Sequence, residues 1–364
     1  MAKKRKKKAG KKAAIILGAV IGTALFAAII LVAVIIHYIN KMNYVPLKEA
    51  YSINETTETF VDDVTNPDEE TSADSSQQEI DEYKKAAEDA LADIKDDYEP
   101  IGDVYNVLLI GSDTRQAGGT GRSDTMLLIS INKTEKKIVA TSFLRDIYCY
   151  IPDVGYQKLN AAYAYQGIEL LLETLKYNFS IEVDRYIAVD FYSFINVVDI
   201  LGGIDVDVQS DELYWLNQYI HASNLLIGAP EHDGYIDSAD GSYIHLNGKQ
   251  ALAYSRFRYV GNGDFTRTER QRKVVNIIFD KLADINASTL IKLLDTVLPE
   301  VTTNVPTGEF IELIGILPTI KQYDIVSWNI PDNEFKYLTI DGISYIGIEF
   351  DTYIDELYNK IYGK

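Results

Sequence analysis

Three short stretches of this chain put arginine and aspartate together on otherwise apolar elements. In "GSDTRQAGGTGRSDTM" (111–126), Asp113 and Arg115 leave one apolar run, and Arg122 and Asp124 enter the next. In "SFLRD", Arg145 and Asp146 follow a third apolar run. "YSRFRYVGNGDFTRTERQ" holds Arg256, Arg258, Asp264, Arg267, Arg270 and Gln271. Guanidinium forks match phosphate oxygens two at a time, whereas an ammonium acts as a point charge. Carboxylates among them suit a hard cation such as Mg²⁺, which takes carboxylate, phosphate and water oxygens. Two aspartates and several arginines around one pocket point to a Mg²⁺–pyrophosphate site. Any one pair is equally a salt bridge at a strand end; three clusters in an acidic chain favour the phosphate site.

The elements that must position these residues follow from the pattern. "YNVLLIGSD" is a continuous apolar run closed by turn residues, as for a buried central strand. "DTMLLISIN" and "KKIVATSFL" are joined by the polar "NKTEK" as a hairpin. "IELLLETLKYNF" reads as a helix, "RYIAVDF" as a strand, "YSFINVVDILGG" as a helix closed by glycines, and "IDVDV" as a strand. "NGKQALAYSRFR" and "DFTRTERQRKVVNIIFDKLADI" read as helices. Further helices are expected at 287–298, 307–321 and 351–361, with strands "YDIVSWNI" and "YLTI". Arg256 and Arg258, two apart, do not share a helical face and suit a helix ending in a loop. Arg267, Arg270 and Gln271 do share one. Residues 221–241 read as an exposed loop. The sum is an α/β domain with a mixed central sheet flanked by helices.

The N-terminus adds a second theme. Residues 1–12 carry eight Lys or Arg and no acid, so the −19 net charge leaves −27 on the remainder. A general nucleic-acid surface is thereby disfavoured. Residues 13–36 run without a charge, long enough to span a bilayer and too long for a signal-peptide core. With the basic block held inside, the chain reads as a cytoplasmic tail (1–12), a single transmembrane anchor (13–36), an acidic tether with a possible stalk helix (37–98), and an extracytoplasmic domain (99–364). That helix, over 76–98, has Ile80, Tyr83, Ala87 and Leu91 at helical spacing and is either a stalk or the first helix of the domain. One cysteine, Cys149, rules out an intrachain disulfide and reads as a small apolar residue. The four histidines lack ligand spacing.

"NVLLIGSDTR…GRSDTMLLISIN…KKIVATSFLRD", "KLNAAYAYQG", "VDFYSFINVVDILGGIDVDV", "LNGKQALAYSRFRY" and "GDFTRTERQRKVV" resemble, in order and spacing, the motifs of the LytR-CpsA-Psr family. The resemblance runs from about Asn106 to Val275. It implies a phosphotransferase moving a glycopolymer (teichoic acid, capsule or another wall glycan) from a polyprenyl-pyrophosphate carrier to peptidoglycan at the membrane, with a lipid-accommodating apolar pocket. It further implies Mg²⁺ (or Mn²⁺) on Asp113 and Asp124, and pyrophosphate on Arg122, Arg145, Arg256, Arg258, Arg267 and Gln271. Asp264 matches an aspartate considered for a base role beside Arg122, Arg145 and Arg267 in catalysis. Leu144 departs from the family's usual proline, which bears on how Arg145 is aimed. Two other readings use the same arginines: a non-catalytic polyprenyl-phosphate lipid binder that regulates wall assembly, and a pyrophosphate hydrolase. Turnover separates the first from the transferase, and the need for an acceptor separates the second.

Overall fold

The computed structural model describes residues 37, 41–47, 74–94, 103–112 and 122–363. Its centre is strand β2 (Val104–Ser112), whose apolar run is covered on both faces. It pairs antiparallel with β3 (Ser123–Asn132) and parallel with β7 (Arg185–Val189). β4 (Lys137–Phe143) continues from β3, and β11 (Asp324–Ile330) runs parallel to β4 at the edge. On the other side β7 meets β10 (Thr302–Thr303), which meets β1 (Asn43–Tyr44). The result is a mixed seven-stranded sheet, ordered β1-β10-β7-β2-β3-β4-β11. β2, β4, β7 and β11 share one direction, so their carboxyl ends meet along a single edge, the usual place for a crevice in α/β sheets.

Alternation along β2 and β3 divides the core. Leu108, Ile110, Met126 and Leu128 face a layer built from α1 (Gln77–Ile94), α2 (Ala161–Gln166), α3 (Ile168–Phe179) and α10 (Phe350–Tyr362). That layer also holds two hairpins, β5 (Tyr148–Ile151) with β6 (Gly155–Lys158), and β12 (Phe335–Ile340) with β13 (Ile343–Ile348). Leu127, Ile129 and Ile131 face the opposite way, onto Val275, Phe279 and Ala283 of α7 (Asp264–Ala283) and onto α9 (Thr307–Ile316). A further lobe joins α4 (Phe191–Ile200), α5 (Leu213–Ile227), α6 (Gly248–Arg256) and the pair β8 (Ile204–Asp207) with β9 (Tyr243–Leu246) around Val198, Val206, Ile220 and Phe257. It leans on α7 through Val274. α8 (Ala287–Val297) closes that side against α4.

Local chemistry fixes the elements nearest the site. Asp190 caps α4, accepting from the Ser193 backbone N–H at 2.8 Å and the Ser193 hydroxyl at 2.7 Å. Asn247 and Gln250 cap α6 reciprocally. Gly248 is required at the α4–α6 contact, since a Cβ there would stand 2.2 Å from the Ile195 carbonyl oxygen.

Three expectations change. Residues 221–227 complete α5 rather than a loop: Ser223 back-bonds to the Tyr219 carbonyl at 2.8 Å, and the Asn224 amide holds the Glu231 and Asp233 carbonyls. The polar residues are used internally. The expected helix 307–321 is α only to Ile316, continuing as a 3-10 turn over Leu317–Gln322. Within the segment expected as tether, Asn43–Tyr44 joins the sheet; of the two readings of 76–98, the first helix of the domain is the one seen, since α1 buries Ile80, Tyr83, Ala87 and Leu91. The Tyr83 hydroxyl donates to the Tyr148 carbonyl at 2.7 Å. These pieces belong to the folded body. Cys149 is fully buried in β5, and burial raises its thiol pKa. Among the described residues no helix is long and apolar enough to cross a membrane; the span expected at 13–36 lies outside them.

Candidate active site

At the carboxyl ends of β2 and β7 the sheet parts from α7, and a cavity of about 160 Å³ opens between them. Its walls are apolar: Leu109, Leu127, Phe191, Phe194, Leu252, Val274 and Val275. Its polar rim is Asp124, Arg145, Arg256, Arg258, Arg267 and Gln271. Six of the residues anticipated from sequence thus converge, although they span 148 positions (124 to 271).

Each is aimed by its element. β2 and β3 stay in register to Gly111↔Thr125, then slip by a bulge before Ser112↔Ser123. Gly111 lies so close to Thr125 that an added Cβ would sit 3.1 Å from the threonine Cβ. Asp124 accepts from the Arg145 guanidinium at 2.9 Å. Arg145 is also 3.5 Å from Asp146 and 3.8 Å from Asp264. Those carboxylates, rather than a proline, set its direction. The Leu144 backbone N–H instead donates to the Ile330 carbonyl at 2.9 Å, a bond proline could not make. As the two-residue spacing suggests, α6 ends at Arg256 and Arg258 lies in the loop beyond. The Arg256 guanidinium stacks 4.3 Å from the Phe191 ring centroid, and Arg258 lies 5.4 Å from that of Tyr259. Arg267, 4% exposed, holds Asp264 at 2.9 Å and donates to the Asp124 carbonyl at 3.3 Å. Its buried Nε has no hydrogen-bond partner. Gln271 donates to the Ser255 carbonyl at 3.3 Å.

The electrostatics follow. Burial alone would raise the Asp124 carboxyl pKa, but Arg145 and Arg267 outweigh it and hold it below the ordinary range. Asp146 is treated likewise, burial being overcome by Arg145 and by Lys158, whose Nζ is 2.6 Å away. Four arginines (Arg145, Arg256, Arg258, Arg267) therefore line the cavity against two carboxylates (Asp124, Asp190), a surplus suited to a doubly phosphorylated anion.

Not every anticipated residue joins. Arg122, at the start of β3, does not line the cavity; its charge acts on Tyr345 of the β12–β13 hairpin. Arg270 shares a helical face with Arg267 in sequence but turns into the second lobe. There it pairs with Glu212 at 2.6 Å, donates to the Phe257 carbonyl at 3.0 Å and stacks 3.7 Å from the Phe257 ring centroid. Asp113 and Arg115 lie outside the described residues. For a divalent cation, the described donor is Asp124, ionised and oxygen-only, which fits Mg²⁺ completed by phosphate and water oxygens. Among the described residues no three His, Cys, Asp or Glu side chains are grouped so that they could hold a metal ion together. Sequence reasoning missed the pairing of Lys158 with Asp146, although "KLNAAYAYQG" marks the position.

A model of the LytR_cpsA_psr family matches residues 67–360. The chain belongs to that family. Among curated LytR_cpsA_psr relatives, the polyisoprenyl-teichoic acid–peptidoglycan teichoic acid transferase TagU of Enterococcus faecalis is 37% identical over 187 residues, 50% of this chain and 55% of that protein. Biofilm regulatory protein A of Streptococcus mutans is 30% identical over 257 residues, 66% of this chain and 59% of that protein. The chain thus spans little more than half the length of these relatives. The solved structure of Bacillus subtilis TagT superposes with a TM-score of 0.56 at 26% identity, covering 73% of this chain and 94% of that one. The TagT structure with bound octaprenyl pyrophosphate lipid gives 0.53 at 26% identity, covering 73% and 93%.

Proposed function

We propose that this LytR_cpsA_psr protein transfers a wall glycopolymer, with its phosphate, from a polyprenyl-pyrophosphate carrier to a peptidoglycan hydroxyl. One observation carries the reading: an apolar cavity whose rim holds Arg145, Arg256, Arg258 and Arg267 around an ionised Asp124. Apolar walls suit a polyprenyl tail, and the arginine rim suits a pyrophosphate at its end. The names of TagU and of the lipid-bound TagT support the same donor class. The glycopolymer in this chain would be teichoic acid, capsule or another wall glycan.

The arginines would neutralise the pyrophosphate and the charge developing on the departing polyprenyl phosphate. An acceptor hydroxyl attacks the glycan-linked phosphorus. The P–O bond to the polyprenyl phosphate breaks, a glycan–phosphodiester–acceptor forms, and the hydroxyl proton passes to a base. Asp264 would take that proton: its buried Oδ1, 2.9 Å from Arg267, makes no well-angled hydrogen bond. Asp124, together with Asp113 outside the described residues, would hold Mg²⁺. When bound, the ion would supply further positive charge to the phosphate oxygens. Residues 13–36 would anchor the chain, leaving residues 1–12 cytoplasmic and the catalytic domain outside. No nucleic-acid role is proposed.

Mass spectrometry of lipid retained by the purified full chain tests the donor assignment. A polyprenyl phosphate or pyrophosphate, lost in Arg258→Ala, is the expected result. Retention of ordinary phospholipid alone, unchanged in that variant, would overturn it.

A further inference from the structure

The charge cluster has two sides. One is the apolar cavity. Asp264, Asp146 and Lys158 do not line it, and two of them meet the β12–β13 hairpin instead: the Ile346 N–H donates to the Asp146 carbonyl at 2.8 Å, and the Lys158 Nζ lies 5.4 Å from the Tyr345 ring centroid. Phe265, directly after Asp264, packs its ring on Phe335 at 4.7 Å, and Phe335 meets Tyr337 edge-on at 5.4 Å. Tyr337 as a whole is 60% exposed. Burial, then Asp264 and Asp146, raise its phenol pKa, which sets it within electrostatic reach of both carboxylates.

A single exposed aromatic is ordinary. This one differs in standing on fixed backbone and in being linked, through Phe335 and Phe265, to the element that carries the candidate base. The neighbouring Leu338 is fully buried. Thr339 exchanges two bonds with Ser75, at 2.7 and 3.1 Å, and the Gly342 N–H donates to Asp74 at 2.9 Å. The Glu334 N–H donates to the Tyr353 hydroxyl at 3.1 Å. A tyrosine on such a backbone suits the apolar face and polar rim of a pyranose, its ring offering a face and its hydroxyl a polar edge. In-line displacement sets the nucleophile opposite the leaving group. With the polyprenyl phosphate leaving toward the cavity, the acceptor must come from the side on which Asp264 and Tyr337 stand.

We infer that the hairpin surface around Tyr337 is the acceptor subsite, on which a pyranose of the wall glycan stacks with its attacking hydroxyl toward Asp264. The inference rests on the transfer reading above and names the residue that receives the second substrate.

The test compares the full chain in detergent with its Tyr337→Ala and Tyr337→Phe variants. The probes are a short-chain polyprenyl-pyrophosphate glycan and a soluble tetrasaccharide of peptidoglycan. In Tyr337→Ala the acceptor KM should rise about tenfold, the loss expected of one aromatic contact. Donor KM and kcat should stay within about twofold, and Tyr337→Phe should resemble wild type. An unchanged acceptor KM, or donor and acceptor KM rising together, would overturn the subsite. Calorimetric binding of the tetrasaccharide alone separates the two claims. If wild type binds it but turns nothing over, the transfer reading fails, and weaker binding by Tyr337→Ala still upholds the glycan platform. Equal binding by both overturns it.

Discussion

Arg267 and Arg270 lie one turn apart on α7, each with at most 5% of the side chain exposed, yet they should fail differently. Arg270→Ala would strand Glu212, whose carboxylate is 10% exposed and whose Oε1 takes both the Nη2 and Nε of Arg270. Removing one partner of a buried ion pair costs about 3–5 kcal/mol. The lost packing on Phe257 adds to this, and the Phe257 carbonyl loses its donor. For a domain of this size each kcal/mol moves the midpoint by roughly 2–4 °C, so a fall of about 10 °C is expected. Arg267→Ala should cost less, about 1–3 kcal/mol, because Asp264 keeps Arg145 within 3.8 Å. It should nevertheless weaken pyrophosphate binding at least tenfold through a lost charge-assisted contact. The assay pairs urea denaturation followed by tryptophan fluorescence with titration of a soluble polyprenyl-pyrophosphate analogue. Glu212→Leu with Arg270→Met should recover much of the lost stability. An Arg270→Ala protein with wild-type stability, or one that stays stable while losing the ligand, would refute the division of labour.

Arg258→Ala should lower affinity for the same analogue about 10- to 100-fold. Its thermal midpoint should barely move, because Arg258 lies in a loop at the cavity rim; calorimetry and a melting curve check both parts. Because the folded pKa values of Asp124 and Asp146 are depressed, the unfolded chain binds protons first as pH falls. Their stabilisation should be complete above the ordinary aspartate value of about 4 and decline as pH drops below it. Asp124→Asn should flatten that decline in urea midpoints measured between pH 6 and pH 3. Gly248→Ala should destabilise by about 1–3 kcal/mol, since α6 must retreat from the Ile195 carbonyl; a midpoint equal to wild type would show that the helices yield freely.

Most of the sheet was readable because its strands are continuous apolar runs bounded by turn residues. The break between Arg256 and Arg258, and the shared face of Arg267 and Gln271, followed from helical geometry alone. Arg270 shows where that logic stops. Its helical phase matches Arg267, but its partner Glu212 is 58 positions away, and sequence spacing carries no record of that contact. Residues 221–241 read as loop because their Gly, Asp and Ser follow no strong period, whereas in 221–227 Ser223 and Asn224 bond inward and the helix continues. The β12–β13 hairpin was half seen, as "YLTI" alone. Its signal was present in Asp341-Gly342, both of which take positive φ (52° and 74°), as a two-residue hairpin turn demands. Arg122, given to the pyrophosphate by the family resemblance, does not line the cavity, and its charge acts on Tyr345.

The central claim is transfer from a lipid pyrophosphate held at the arginine rim. It is met most directly by a donor carrying ³²P at the glycan-linked phosphate, incubated with the full chain, Mg²⁺ and peptidoglycan fragments. The account predicts label joined to the acceptor as a phosphodiester, release of unlabelled polyprenyl monophosphate, and neither product with Arg267→Ala. Label appearing on free glycan phosphate at the same rate without acceptor, or remaining on the intact donor, would contradict it.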